Sequence, residues 1–596
     1  VKIPFLILGF TGPIGVGCTT LANIITRATS LSSLIKRHNI FDKVISEMKN
    51  ISEQMDKETG EEVLEKLNKN LKELYQQRAY LQILQQVEDP RFIYVSMSVI
   101  ILKLVIDKIK LLDFNEWAEQ SMELSAMLKE FEARWIDTIR LYDSNEKDFN
   151  KLSGEQLKSI DDMFDNLSEL RNKISEIELT SFFDKRINEL YLQTFGNNLR
   201  KTGNPFNSDD SLRDPKHLSI IAKETNRYIK YYRNRSDDKK ANCFVIDAFR
   251  NPAEVEFFRR YDQFFLISLY ASEEIRQKRV ERMLLGGPFH SQGNFLTIFK
   301  KIDERDWGVD SNIKDIHKQN VSRCFYLADI AINNDETNHE FDLKLFNKFL
   351  RYYALIASPG CIQPTKEETF MNLAYSLSLR SSCISRKVGA VITDKAGFVL
   401  GVGWNDAAHG QIGCGLKQKN DFLQDSELFS MNVFRGLISK EDIEQYSECD
   451  FICFKDVLSE IKIKDKLDKS VLGQKEKEAA LAAINIKRLE YCRSLHAEEN
   501  ALLQVVSRGG MGVNGGEIYT TTFPCELCAK KIYQSGINKI YYTEPYPNSI
   551  SERVFLKDGI RNIKLRQFEG IKSSSYFKLF KPLYDKKEAQ KMDDLN

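Results

Sequence analysis

Residues 496–500 read HAEEN; after a glycine-rich run, residues 517–523 read EIYTTTF and residues 524–528 read PCELC. In chemical terms this is an imidazole, a carboxylate two residues on, and two thiols at CxxC spacing behind a β-branched stretch that predicts a strand. Zinc takes imidazole nitrogen and thiolate sulfur in a tetrahedron, and a catalytic site differs from a structural one in having three protein ligands plus water. His496, Cys525 and Cys528 supply three. Beyond residue 340 the other histidine is His409, in a loop-like context, so no second local histidine offers itself as a fourth ligand. Glu498, on the first turn of a helix opened by His496, can face the water of such a site without displacing it.

Two plainer readings compete: half of a zinc ribbon, or a redox CxxC. A ribbon would carry a second cysteine pair at matching spacing, and neither reading accounts for HAE. The arrangement H-x-E…P-C-x-x-C is the signature of zinc nucleobase deaminases, in which the glutamate is not a ligand. Zinc lowers the pKa of its water toward ~7. Glu498 would then carry that water's proton to a ring nitrogen and to the departing ammonia.

The chain has 596 residues, more than one core comfortably holds, so several domains are expected. Its 86 basic and 85 acidic residues give a formal charge of +1, which argues against a dedicated nucleic-acid binder. Eleven cysteines in so long a chain read as a reduced, cytoplasmic protein that uses a few thiols for metal. The start at Val1 in place of Met points to processing or trimming. The longest apolar run, Phe92–Leu102, is cut by Lys103 and is too short to span a membrane; with its continuation it reads as a buried helix.

The N-terminal segment FLILGF predicts a buried strand, and it leads into GPIGVGCTT at residues 12–20. A strand followed by G-x-x-x-x-G and a hydroxyl residue is a phosphate-loop pattern. Gly12, Gly15 and Gly17 shape the loop, and Thr19 matches the magnesium-binding hydroxyl. Cys18 stands where a lysine is expected, which puts phosphoryl transfer in doubt but leaves phosphate binding. Asp247, closing the apolar strand FVID, is a second magnesium contact for a nucleoside triphosphate. The strand FFLISLYA, the helix bearing Arg276, Arg279 and Arg282, RDWG at Arg305 and the strand ADIAINN follow. Order and phrasing resemble the small P-loop kinases of nucleotides and dephospho-coenzyme A. Residues 31–240, rich in Glu, Lys, Leu and Ile at helical spacing, read as a largely helical insertion, with FGNNLRKTGNPF near Arg200 as a lid.

Pro359, Gly360 and Pro364 mark a linker at 356–366, separating a domain at 1–355 from one at 367–596, and Thr365 can cap the next helix. Beyond it strands and helices alternate, predicting an α/β unit with a mixed or parallel sheet covered on both faces. Residues 406–491 form an insertion. Its start, HGQIGCGLKQ, is placed to close over substrate; Lys455–Lys477 reads as an exposed helix. Cys414, Cys449, Cys453 and Cys492 bracket it and raise the option of a second, structural zinc.

SSCISRKVGAVIT, GVGWND, HAEENAL, YTTTFPCELCAKKI and KIYYTEPY together resemble the deoxycytidylate deaminases over roughly residues 367–570. Joined to the degenerate P-loop half, the chain resembles the bacterial two-domain deoxycytidine nucleotide deaminases of antiphage defence. That resemblance implies a zinc enzyme converting dCTP or dCMP to the uracil nucleotide, with the P-loop domain as a nucleotide-binding or regulatory module. It assigns Asn405 to the deoxyribose hydroxyl, the Ala497 N–H and Tyr546 to the base, and Arg386 and Lys387 to the phosphates. It further implies a homo-oligomer; the P-loop half offers a place for an allosteric nucleotide, and the lack of a spanning apolar run argues against a membrane partner. The alternatives are a deaminase of RNA or single-stranded DNA, and a sensor whose N-terminal half binds an inhibitory RNA or a phage product.

Overall fold

The computed structural model describes residues 5–423 apart from 28–29, 88, 147–148, 184–189, 235–241, 286–291, 309–314 and 337–340, a few positions between 443 and 489, and residues 492–582 apart from 511 and 546–548. The chain forms two units: Val1–Gln363 with Ser574–Asn596, and Pro364–Ser573.

In the first unit the apolar N-terminal run becomes β1 (Phe5–Thr11), the glycine loop follows, and α1 begins at once (Cys18–Arg27). Later come β2 (Arg91–Ser96), α2 (Met97–Ile106), α3 (Gly154–Phe183) and α4 (Tyr191–Thr202), then β3 (Asn242–Asp247) and β4 (Phe264–Tyr270). Helices α5 (Glu273–Leu285) and α6 (Gln292–Trp307) and strand β5 (Ile330–Asn333) complete the framework. These strands lie in the order β5-β4-β1-β3-β2, every pair parallel. Strands β3 and β4 read as continuous apolar runs because helices cover both faces of a parallel sheet.

Two expectations fail within residues 31–240. The stretch from Phe92 is not one buried helix: Arg91–Ser96 is a strand paired with β3, and the helix begins at Met97. Periodicity cannot separate a buried strand from a buried helix in a continuous apolar run; the aromatic and β-branched residues of RFIYVS decide it. The segment around Arg200 is not a lid either. It is helix α4, and Arg200 is buried against Glu254 at 2.8 Å, the two side chains being 2% and 0% exposed. The remainder of that stretch is helical as expected, with long helices at Glu61–Gln86 and Met122–Ser144. Lys103 sits inside the apolar α2 because carboxylates meet it there: Asp107 at 2.9 Å and Glu224 at 3.3 Å.

The second unit opens with α7 (Lys366–Ser378), whose start is fixed by a capping box between Thr365 and Glu368. Next are β6 (Gly389–Thr393) and β7 (Val399–Trp404), and after the insertion α8 (Ala497–Ser507), β8 (Glu517–Thr522), α9 (Glu526–Ser535), β9 (Lys539–Glu544) and β10 (Lys564–Gln567). The sheet runs β10-β9-β8-β6-β7; its first three strands are parallel, while β6 is antiparallel to both β8 and β7. Alternation along β6 serves the two faces: Ala390 and Ile392 pack with Ala497, Ala501 and Ile532, whereas Val391 packs with Met371 and Ala374 of α7. Among the described residues, no helix is long and apolar enough to cross a membrane. Most of 406–491, including Cys449 and much of Lys455–Lys477, lies outside the described residues.

Candidate metal centre

Helix α8 lies directly on β7, and two glycines make this fit. A Cβ at Gly403 would stand 2.2 Å from the Ala497 carbonyl oxygen, and one at Gly401 would stand 2.6 Å from that of Ala501. The alternation GVGW therefore turns both hydrogens toward the helix and lets two backbones touch. Asn500 ties the same surfaces by donating from Nδ2 to the Trp404 carbonyl at 2.8 Å. His496 is the N-cap of α8 and Cys525 that of α9, with Cys528 one turn further in. Two helix N-termini thus converge, and their positive ends favour thiolate.

The sulfurs of Cys525 and Cys528 lie 3.2 and 3.3 Å from Nδ1 of His496. Among the described residues, these three form the group of metal-binding side chains whose ligand atoms all fall within 4.8 Å of one another. Edges of a zinc tetrahedron with such ligands are about 3.5–3.8 Å. Two thiols and an imidazole at this spacing fit zinc, with no fourth protein ligand in the group.

Protonation follows the geometry. Burial alone would lower the imidazole, but the hydrogen bonds it donates to Cys492 and Cys525 and the nearby negative charges raise His496 to about 11. A hydrogen bond from Cys528 and the imidazole pull Cys525 well below the usual thiol range, while Cys528, bonded to that thiolate, goes up. A metal taken up here must displace protons. Glu498 is 4% exposed. Burial, then the charge of Cys525, pushes its carboxyl up, and the Thr520 hydroxyl lies 3.4 Å from its Oε1.

Asn405 is buried with both ends of its amide engaged: Oδ1 accepts from the Val388 N–H and Nδ2 donates to the Arg386 carbonyl, each at 2.7 Å. One further donor and one acceptor position remain on that amide. The segment bearing Arg386 and Lys387 is thereby clamped beside it, with both side chains exposed. Ala497 is fully buried in the first turn of α8. Tyr546 lies outside the described residues. Three residues emerge that the motifs did not single out for this site. Cys492 hydrogen-bonds the His496 imidazole and so supports a ligand of this centre; Cys449, grouped with it for a second zinc, lies outside the described residues. Thr520 bonds Glu498, and Gly403 seats α8; only the Gly-x-Gly alternation left a trace in the sequence.

In the first unit Gly15 and Gly17 hold φ of 81° and 99°, conformations that suit glycine in a tight loop. Cys18 is buried and Thr19 exposed at the start of α1. Asp247 ends β3 and accepts a hydrogen bond from the Tyr94 hydroxyl at 2.9 Å. Of the three arginines on α5, Arg276 and Arg279 donate to the Ile14 and Gly15 carbonyls at 3.4 and 3.2 Å, while Arg282 is exposed.

Residues 469–544 match the family model of the cytidine and deoxycytidylate deaminase zinc-binding region. The chain is 33% identical to the deoxycytidylate deaminase of Enterobacteria phage T2 over 181 residues, which is 30% of this chain and 81% of that protein. Its T4 counterpart is 32% identical over 181 residues, 30% of this chain and 79% of that protein. The deoxycytidylate deaminase of Schizosaccharomyces pombe is 26% identical over 245 residues, 41% of this chain and 54% of that protein.

Proposed function

Because the chain belongs to the deoxycytidylate deaminase family, we propose that it hydrolyses the 4-amino group of a free deoxycytidine nucleotide, dCMP or dCTP, at His496, Cys525 and Cys528. Water is consumed, a C–O bond replaces the C4–N bond, and ammonia leaves. Zinc bound by these three side chains supplies a nucleophile at neutral pH by lowering the pKa of water toward ~7. The observation that carries this reading is the position of Glu498: buried, one residue into the helix that His496 caps, and outside the ligand group.

Glu498 takes one proton of the attacking water and delivers it to the ring nitrogen, then takes the remaining proton from the new C4 hydroxyl and gives it to the departing amine. Its raised pKa suits this, since a carboxylate that holds a proton more tightly is the stronger base. Asn405 has one donor and one acceptor left for a deoxyribose hydroxyl, and the clamped Arg386 and Lys387 offer positive charge to the phosphates. The Ala497 N–H and Tyr546 serve the base. Thr19 and Asp247 of the first unit hold magnesium with a nucleotide, and that unit regulates the deaminase. The biological outcome of this reading is depletion of dCTP in a phage-infected cell.

The experiment is incubation of the purified chain with dCMP, dCTP, CTP and a cytosine-containing oligonucleotide, with and without a zinc chelator. Formation of a uracil mononucleotide that stops with chelator and returns with zinc supports the reading. Conversion of the oligonucleotide alone would overturn it in favour of a polynucleotide deaminase.

A further inference from the structure

A phosphate loop normally ends in a lysine that reaches the β and γ phosphates. Here Cys18 takes that place, and burial, then the charge of Asp247, pushes its thiol far up, so it stays neutral. Were the loop merely decayed, nothing need replace the missing charge.

The loop itself is well held. Arg276, Arg279 and the buried Asn334 donate to three successive carbonyls, Ile14, Gly15 and Val16, the last at 2.6 Å. In a trans peptide the N–H points opposite to the carbonyl. With these carbonyls drawn toward α5 and Asn334, the N–H groups of Gly15 and Gly17 point the other way, while that of Val16 between them donates to the Pro13 carbonyl at 3.4 Å.

Beyond β3 the chain stays beside β1. The Phe249 N–H donates to the Phe10 carbonyl at 2.8 Å, and the Thr11 hydroxyl donates to the Phe249 carbonyl at 2.8 Å. Arg250 therefore departs next to Thr11, the residue before the loop, at the C-terminal ends of two central parallel strands. That is the crevice where open α/β sheets take ligands. Its own carbonyl is fixed by the Asn320 N–H at 2.8 Å. Its guanidinium pairs with Asp306, which also accepts from Gln193 at 3.3 Å. The carboxylate is buried, but the arginine side chain keeps 32% of its surface exposed, and its charge acts on both Cys18 and Asp247.

We propose that Arg250, anchored by Asp306, supplies the phosphate loop with the cation that Cys18 does not, so that the crevice binds the magnesium complex of a nucleoside polyphosphate. This rests on the nucleotide-binding reading of the first unit. Guanidinium offers several donors in a planar fork suited to phosphate oxygens, and Thr19 and Asp247 would complete the magnesium contacts.

The test uses the full chain and inorganic tripolyphosphate with magnesium, a probe with no base for the deaminase pocket to hold. Titration calorimetry should show binding that weakens about tenfold or more in Arg250→Gln, is largely kept in Arg250→Lys, and is regained in the double variant Arg250→Gln with Cys18→Lys. Independently of how the variants fold, tripolyphosphate should shield Arg250 of the unmodified chain from phenylglyoxal, read by mass spectrometry. Undiminished binding by a folded Arg250→Gln, or labelling of Arg250 at the same rate with and without the probe, overturns the role of Arg250 while leaving the loop as a phosphate site. Absence of binding by the unmodified chain overturns the nucleotide-binding reading as well.

Discussion

Gly403 and Ala497 are in backbone contact: a methyl group on the glycine would stand 2.2 Å from the alanine's carbonyl oxygen. Since Ala497 follows His496 and precedes Glu498, whatever pushes α8 off β7 moves both a metal ligand and the proposed acid–base residue. Gly403→Ala should cost about 2 kcal/mol through overpacking and lower zinc occupancy and turnover together. Gly154→Ala, where nothing lies within 4 Å, is the control. Metal content after dialysis, measured beside initial rates, checks this; full zinc occupancy in Gly403→Ala would count against it.

Removing the proton carrier separates chemistry from metal binding. Glu498→Gln keeps the shape of the side chain and lies outside the ligand group, so zinc should remain at the level of the unmodified chain. Turnover should fall by roughly 10²–10⁴, the usual worth of general acid–base catalysis. Rates within tenfold of the unmodified enzyme would assign the proton transfers elsewhere.

Asn405→Ala removes the partners of a backbone N–H and a carbonyl at Val388 and Arg386. Each buried group left unpaired costs about 1–3 kcal/mol, and the segment carrying Arg386 and Lys387 loses its clamp. The expected result is a rise in KM for nucleotide that exceeds the change in kcat. Equal KM values for the two proteins in steady-state assays would remove Asn405 from the substrate site.

Glu178 offers a pH test in the first unit. Burial outweighs the hydrogen bonds it accepts from the Leu192 and Tyr191 N–H groups and raises its carboxyl from 4.5 to about 7. The folded state thus favours the protonated form. Its contribution, on the order of 3 kcal/mol, is fully present below about pH 4.5 and is lost as pH rises through about 7. Thermal denaturation of the full chain should show stability falling across that window, and Glu178→Gln should flatten the slope. An unchanged slope in the variant would contradict this.

The metal ligands were legible because their chemistry is local: His496 opens one helix, and Cys525 and Cys528 open another just behind a strand. The capping residue Thr365 and the strand before the glycine loop were readable for the same reason. What escaped depends on neighbours remote in the chain. RFIYVS and MSVIILKLVI run together with no change of period between them, and only the aromatic and β-branched residues of the first mark it as the strand that pairs with β3. Cys492 was grouped by spacing with Cys414, which it does lie near, but spacing could not show that it also hydrogen-bonds His496. Arg250 looked like any charge after a strand, since its meaning arises from Thr11, Asp306 and Cys18 meeting across more than two hundred residues.

X-ray absorption at the zinc edge on the purified chain examines the centre most directly. Two sulfurs and two lighter atoms around one zinc is the predicted result, with His496, Cys525 and Cys528 as ligands and the fourth position open to water. Three sulfurs, with Cys492 or another thiol closing that position, would contradict a hydrolytic site and leave a structural one.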